Sequence, residues 1–82
     1  MSLRPILSDL DAQIIESIAA GEPTMHIANK VYLSRQGVEY HVGKLLRHMR
    51  VPNRAALVAK AYTLGILTVG PWPPVARKEV EG

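Results

Sequence analysis

Apolar residues recur three or four positions apart early in the chain, as they do along one face of an α-helix. This first stripe consists of Leu10, Ile14, Ile15 and Ile18. Ser8 stands just before it, where a hydroxyl can cap the first amides, and Gly21 stands just after it, where helices commonly end. These signals predict a first helix over about residues 9–20.

Two further helices are predicted with only a brief turn between them. Pro23 suits a helix entry and Thr24 can act as the cap, so a second helix runs to about Tyr32. Ser34 can cap a longer third helix over about residues 35–49. At 100° per residue this third helix divides into two faces. Its apolar face is formed by Val38, Val42, Leu45, Leu46 and Met49, and its outer face by Gln36, Tyr40, Gly43, Lys44 and Arg47.

The last predicted helix covers about residues 54–64, between a cap at Asn53 and a stop at Gly65. No stretch alternates convincingly with a period of two, so the predicted fold class is all-α. Beyond Leu67 the sequence Pro-Trp-Pro-Pro favours an extended polyproline conformation. We therefore divide the chain into a helical domain, residues 1–67, and a Pro-rich tail, residues 68–82. Trp72 either docks on the domain or binds a partner, and we favour a tail that folds back on its own core.

The basic residues concentrate in the middle of the chain. The net charge is +3, and residues 29–62 hold seven Lys or Arg against one Glu. A basic third helix behind a brief turn is typical of a helix-turn-helix, and an α-helix fits the DNA major groove. These features favour double-stranded DNA as the partner, although a solvated basic surface is an equally weighted alternative.

Composition excludes several other classes of protein. The chain has 82 residues, enough for one domain, and no cysteine, which excludes disulfides and thiolate chemistry. It shows no secretory signal or membrane-spanning stretch, so we expect no membrane association and a cytoplasmic location. The three histidines are scattered without ligand spacing, and no serine has a His/Asp arrangement. We predict no enzyme activity, no metal and no cofactor.

Short motifs along residues 7–67 together resemble one family. In chain order they are Leu7-Ser8; Ile14-Ile15; Ile18-Ala19-Ala20-Gly21; Ile27-Ala28, Val31 and Leu33-Ser34; Val38 and His41; Leu45, Met49, Val51 and Asn53-Arg54; and Leu57-Val58, Ala61 and Gly65-Ile66. Each motif is weak alone, but the series in register resembles the LuxR-type (GerE/NarL/FixJ-like) helix-turn-helix DNA-binding domain.

The resemblance implies a four-helix domain whose third helix is the recognition helix and whose fourth helix forms a homodimer interface. The base-contact candidates are Gln36, Glu39, Tyr40 and Gly43. The phosphate-contact candidates are Lys30, Ser34, Arg35, Lys44, Arg47 and Arg54. The dimer candidates lie on the outer face of the fourth helix, where the Ala residues either permit close approach or only favour helix formation: Ala55, Ala56, Ala59, Lys60, Tyr62 and Thr63.

Several of these assignments have alternatives. The family favours Lys where this chain has Glu39, which either accepts from a cytosine, weakens DNA binding, or pairs with Arg35 four residues earlier. Tyr40 contacts DNA or shields the core, and Gly43 allows close approach or is a tolerated defect. Arg54 binds phosphate or pairs with an acid on the first helix. We expect His41 to be a packed, hydrogen-bonded histidine.

We therefore predict a sequence-specific transcriptional regulator that binds DNA as a homodimer. A start at Met1 and a tail after Leu67 favour a stand-alone protein over a fragment. RNA polymerase or another regulator is a further candidate partner. The alternative function is a protein-interaction module of the same fold, with weakened or lost DNA binding, that pairs with another regulator.

Overall fold

The structure is a computed structural model that describes residues 7–76. Residues 1–6 of the predicted domain and 77–82 of the predicted tail lie outside the described residues. Within residues 7–76, four helices follow one another: α1, Asp9–Ala19; α2, Thr24–Val31; α3, Arg35–Met49; and α4, Arg54–Thr63. The all-α prediction is confirmed, and each predicted helix is found to within one residue at either end.

Polar side chains begin three of the four helices, as their sequence predicts. The side-chain oxygens of Ser8, Ser34 and Asn53 accept the N–H groups of Asp11, Gly37 and Ala56 at 3.0, 3.0 and 2.9 Å. These bonds satisfy amides that the first turn of a helix leaves unpaired. Each helix start is thus determined by one short-range interaction.

The start of α2 differs from the prediction. The capping residue is Pro23, whose backbone is extended (φ −69°, ψ 154°), and no side chain accepts a capping bond. Thr24 is the first helical residue, so its predicted role as the cap is wrong. The ring of Pro23 already holds φ near the value that a helix entry needs, and its carbonyl accepts the N–H of Ile27 at 3.1 Å.

Left-handed residues end α2 and α3. Tyr32 has φ 59° and Arg50 has φ 58°, and both lie directly after the last helical residue. At the first of these ends, the Leu33 N–H donates to the carbonyl of Ala28 at 3.0 Å. This closure turns the chain sharply into Ser34, so that α2 and α3 pack together as in a helix-turn-helix.

One apolar core contacts all four helices. Ile14 and Ile15 from α1, Ile27 from α2, Val38 from α3 and Leu57 from α4 are fully buried. Val42, Leu45 and Met49 continue the buried side of α3. Because every apolar residue of that stripe faces inward, the opposite side of α3 faces solvent.

The described part of the tail folds back on the domain. Leu67 and Ala76 form an isolated antiparallel bridge, and the Ala76 N–H donates to Oε2 of Glu16 in α1 at 2.7 Å. Pro74 is buried, whereas Trp72 is 75% exposed and precedes a cis proline. The expected extended polyproline segment is wrong, because the chain reverses direction between Leu67 and Ala76 to form their antiparallel bridge. The tail returns to its own core as predicted, but through Pro74 and Ala76 and not through Trp72.

No helix within residues 7–76 is both long and apolar enough to cross a membrane.

Candidate nucleic-acid interface

The solvent-facing side of α3 is polar and basic. Gln36, Tyr40, Lys44 and Arg47 are exposed, and Gly43 between them is partly buried. Arg35 and Glu39 are exposed on the same half of the helix. We call these seven residues the α3 outer face. Ser34, at the start of α3, uses its hydroxyl to accept the Gly37 N–H.

Glu39 on this face has a partner on the next helix. Its Oε1 accepts a hydrogen bond from Nη2 of Arg54, the first residue of α4. The expected partner Arg35 is therefore wrong, and so is the expected pairing of Arg54 with an acid of the first helix. The sharp turn between α3 and α4 brings the second turn of α3 beside the start of α4. The Arg54 guanidinium therefore reaches the Glu39 carboxylate.

A second phosphate candidate is also paired. Nζ of Lys30 lies 3.3 Å from both carboxylate oxygens of Glu22 and 3.4 Å from the Ser17 hydroxyl. The Ser17 hydroxyl, and after it Lys30, hold the pKa of Glu22 below its usual value. By contrast, within residues 7–76 no ion pair joins Arg35, Lys44 or Arg47 to a carboxylate.

Tyr40 and His41 differ in burial although they are neighbours. Tyr40 is 63% exposed and its ring meets the His41 ring edge-on, with centroids 5.5 Å apart. The imidazole of His41 is mostly buried, and its Nδ1 lies 4.0 Å from Oδ1 of Asp11. In the described part of the chain this nitrogen has no hydrogen-bond partner. The prediction of a packed histidine agrees with this burial, but that of a hydrogen-bonded one is wrong for Nδ1.

The outer side of α4 exposes fewer of the predicted dimer residues than the sequence indicates. Ala55, Ala59 and Thr63 are exposed one turn apart, and Ala56 is partly buried. Lys60 donates from Nζ to the Met49 carbonyl at 2.8 Å, and Tyr62 packs against the core. Only the first three of these residues present a continuous small-residue surface, while Lys60 ties α4 to the end of α3.

Two features of this region were missed by sequence reasoning. The Lys30–Glu22 pair joins residues on either side of Pro23, and Lys60 bonds a backbone carbonyl, which every residue possesses. Neither arrangement leaves a spacing or residue-type signal in the sequence. Among residues 7–76, no three His, Cys, Asp or Glu side chains come together in a way that could hold a metal ion.

Comparison with known proteins agrees with this geometry. Residues 5–61 match the sequence model of the family described as "GerE: Bacterial regulatory proteins, luxR family". The chain belongs to the LuxR family. This membership confirms the resemblance seen in the sequence, and the four helices are those of a LuxR-family helix-turn-helix domain. The family is one of regulatory proteins and not of enzymes.

Two similar proteins carry the description "Probable transcriptional regulatory protein NarL". They come from Mycobacterium tuberculosis strains CDC 1551 / Oshkosh and ATCC 25618 / H37Rv. Each is 35% identical to this LuxR-family chain over 57 residues, which is 70% of the chain and 26% of the relative. The chain thus spans about a quarter of the length of these relatives.

Proposed function

We propose that this domain binds double-stranded DNA sequence-specifically and regulates transcription, with α3 inserted in the major groove. The observation that carries the proposal is the α3 outer face, which is exposed along three turns while the opposite side of the helix is fully engaged in the core. The major groove of B-DNA is wide enough for one α-helix and presents a distinct pattern for each base pair. A helix with an exposed basic side, whose apolar side is buried in the core, suits that groove.

The phosphate candidates fall into two groups. Arg35, Lys44 and Arg47 are exposed, and no carboxylate of the described residues pairs with them, so they can neutralise phosphates at once. Lys30 and Arg54 are held by Glu22 and Glu39 and must exchange partners to do so. Ser34 contributes its cap and supports the helix start. We assign the main phosphate contacts to the first group.

The base-contact candidates lie in the first two to three turns of α3. Gln36 carries an amide that can both donate and accept, which suits an adenine edge. Tyr40 projects into solvent and can contact a thymine methyl, a sugar or a phosphate. Gly43 leaves room for close approach, since the nearest atom that an added Cβ would meet is the tip of Arg47. Glu39 is the remaining candidate and is held by Arg54.

A homodimer through α4 is the second part of the proposal. Ala55, Ala59 and Thr63 form a strip of small exposed side chains, over which a second copy of the helix could pack closely. Two α3 helices related by a two-fold axis would then read half-sites about one helical turn apart. Lys60 and Tyr62 take part at the edge, through the Lys60 stem and the Tyr62 ring.

Selection from a random pool of duplexes tests sequence recognition directly. The purified chain is incubated with the pool at about physiological salt, where non-specific binding is weak, and the retained DNA is sequenced. We expect an enriched motif with two-fold symmetry. Absence of any enrichment from a chain that is folded by circular dichroism would contradict the proposal.

Charge reversal on the α3 outer face separates DNA binding from the alternative function. Lys44→Glu with Arg47→Glu should abolish DNA binding because both phosphate contacts become repulsive. The control is Gln13→Glu with Val69→Glu, which introduces the same number of carboxylates at two exposed positions on α1 and in the tail and should retain the motif. If the wild-type chain binds no duplex, while capture of RNA polymerase or another regulator survives the reversal, the chain is an interaction module. The stand-alone state and the cytoplasmic location stay predictions.

A further inference from the structure

Glu39 places a negative charge on the surface that is proposed to face DNA. Its side chain is 49% exposed, so the carboxylate is within reach of an approaching phosphate backbone. A carboxylate in that position lowers affinity for any DNA sequence by repulsion. The structure gives this charge a specific partner, and the partner changes what the residue does.

The partner, Arg54, is itself a phosphate candidate. Its Nη2 lies 2.5 Å from Oε1 of Glu39, and its side chain is 35% exposed. A guanidinium carries five N–H donors and favours phosphate as readily as carboxylate. Arg54 is therefore suited to the DNA backbone by chemistry and exposure, but it is already occupied by an anion.

The position of Arg54 in its helix strengthens that occupancy. Arg54 is the first residue of α4, where the helix dipole is positive, and the first turn of α4 contains no acidic residue. A cation there is unfavourable, and an anion beside it is favourable. Glu39 supplies from α3 the negative charge that α4 itself lacks.

We propose that Glu39 masks Arg54 from the DNA backbone and so limits non-specific binding, an inference that rests on the proposed function. Arg35, Lys44 and Arg47 of the α3 outer face then stay available to phosphates, while Arg54 of α4 is kept neutralised on the protein. Affinity for a non-specific sequence then lacks the contribution of about one phosphate contact. Contacts to bases do not depend on Arg54, so their contribution to affinity is unchanged. Glu39 thus lowers the general affinity of the domain for DNA by acting through Arg54 and not by reading a base.

A double-mutant cycle on a duplex of mixed sequence tests the masking. Wild type, Glu39→Gln, Arg54→Gln and the double variant are titrated with a duplex lacking any selected motif, between 50 and 200 mM salt. Each phosphate contact contributes about 0.9 to the slope of log affinity against log salt, or about threefold over that salt range. Glu39→Gln should bind three- to tenfold more tightly at the low end of the range, with a slope steeper by about 0.9.

The Arg54→Gln variants decide the cause of that gain. In the wild-type background Arg54→Gln should weaken binding less than it does in the Glu39→Gln background, because a masked guanidinium makes no phosphate contact and only the repulsion by the freed Glu39 carboxylate is added. In the Glu39→Gln background it should remove the gain and restore the wild-type slope. Glu39→Ala gives a second variant without the carboxylate and should behave like Glu39→Gln. Asp9→Asn removes the same charge from α1 and should give no gain that depends on Arg54.

Three outcomes would overturn the inference while leaving the proposed function intact. The first is that Glu39→Gln raises affinity equally with and without Arg54, which would mean that the carboxylate acts by repulsion alone. The second is that Arg54→Gln weakens binding of the wild type as much as binding of Glu39→Gln. The third is that Glu39→Gln loses the selected motif, which would mean that Glu39 reads a base. If no variant binds any duplex although all are folded, both proposals fail; binding by Glu39→Gln alone would support the masking.

Discussion

At the start of α4, Oδ1 of Asn53 accepts the Ala56 N–H at 2.9 Å. This first turn has no acidic residue and opens with a cation, so the cap is its main local support. We expect Asn53→Ala to lower the free energy of unfolding by about 1 kcal/mol. Urea denaturation followed by circular dichroism measures it. Thr63→Ala, at an exposed position near the other end of α4, should cost clearly less, and an equal loss would contradict the capping argument.

Glu22 makes stability depend on pH at the junction of α1 and α2. Its pKa in the folded chain lies below its usual value, because of the Ser17 hydroxyl first and Lys30 second. The charged form therefore stabilises the fold above the unfolded pKa, about 4.3, and this stabilisation is lost as the pH falls through the folded pKa.

Glu22→Gln should accordingly melt at a lower temperature than wild type at pH 7 and converge with it as the pH falls below the folded-state pKa of Glu22. The difference should stay within about 1 kcal/mol because the Lys30 side chain is half exposed and solvent screens the pair. Melting curves between pH 2.5 and 7 give the comparison. In a Lys30→Gln background, the difference in melting temperature between chains with and without Glu22→Gln should be smaller but still present, since the Ser17 hydroxyl remains. A constant offset at every pH would show that Glu22 acts by packing and not by charge.

On the scale of one element, α3 contains a glycine whose presence packing does not require. A Cβ at Gly43 would meet only the tip of the flexible Arg47 side chain, at 3.4 Å. Gly43→Ala should therefore stabilise the fold by about 1 kcal/mol, the helix-propensity difference. If the gap serves close approach to DNA, the same variant should bind its selected duplex more weakly. Thermal melting and a titration, made on one sample, measure the two effects.

Gly37 offers the matched control in the same helix. A Cβ there would lie 3.3 Å from Oγ of Ser34 and 3.4 Å from Cβ of Leu33, tighter than ordinary contacts. Gly37→Ala should gain less stability than Gly43→Ala, because the cap residue must shift. A stabilised Gly43→Ala chain with unchanged DNA affinity would show that Gly43 is a tolerated defect.

The helices could be predicted from sequence because their signals are local. Ser8, Ser34 and Asn53 each cap within three residues, and the apolar stripes have helical spacing. Thr24 shows the limit of such signals. Thr24 and the neighbouring Pro23 both suit a helix start, and only the backbone conformation decides between them.

On the scale of the whole molecule, the contacts between elements were the part that sequence could not predict. Glu39 and Arg54 are 15 residues apart, and the nearer Arg35 offered an equally good charge at helical spacing. The choice depends on how closely α4 returns to α3. Lys60 likewise looked like a surface residue until the fold placed the Met49 carbonyl beside it. The sequence therefore predicted which helix face forms the candidate surface, but not which charged residues of that surface are without an ion-pair partner.

Contacts between the tail and the helices likewise bear on the domain boundary predicted at residue 67. Leu67 is 2% exposed, Pro74 is buried, and Ala76 both packs on the core and donates to Glu16. Removing residues 69–82 should uncover Leu67 and cost about 1–2 kcal/mol. For a domain of this size that is a fall of several degrees in melting temperature.

Trp72→Ala separates this packing from the bulk of the tail. The side chain of Trp72 is 75% exposed, so its truncation should change the melting temperature by little, within about 0.5 kcal/mol of stability. If the shortened chain melts like wild type, residues 68–82 form a tail apart from the domain, as the sequence-based division has it. If it melts lower while Trp72→Ala does not, the domain extends to at least Ala76, with Pro74 buried and Ala76 partly buried against the core and Trp72 outside it.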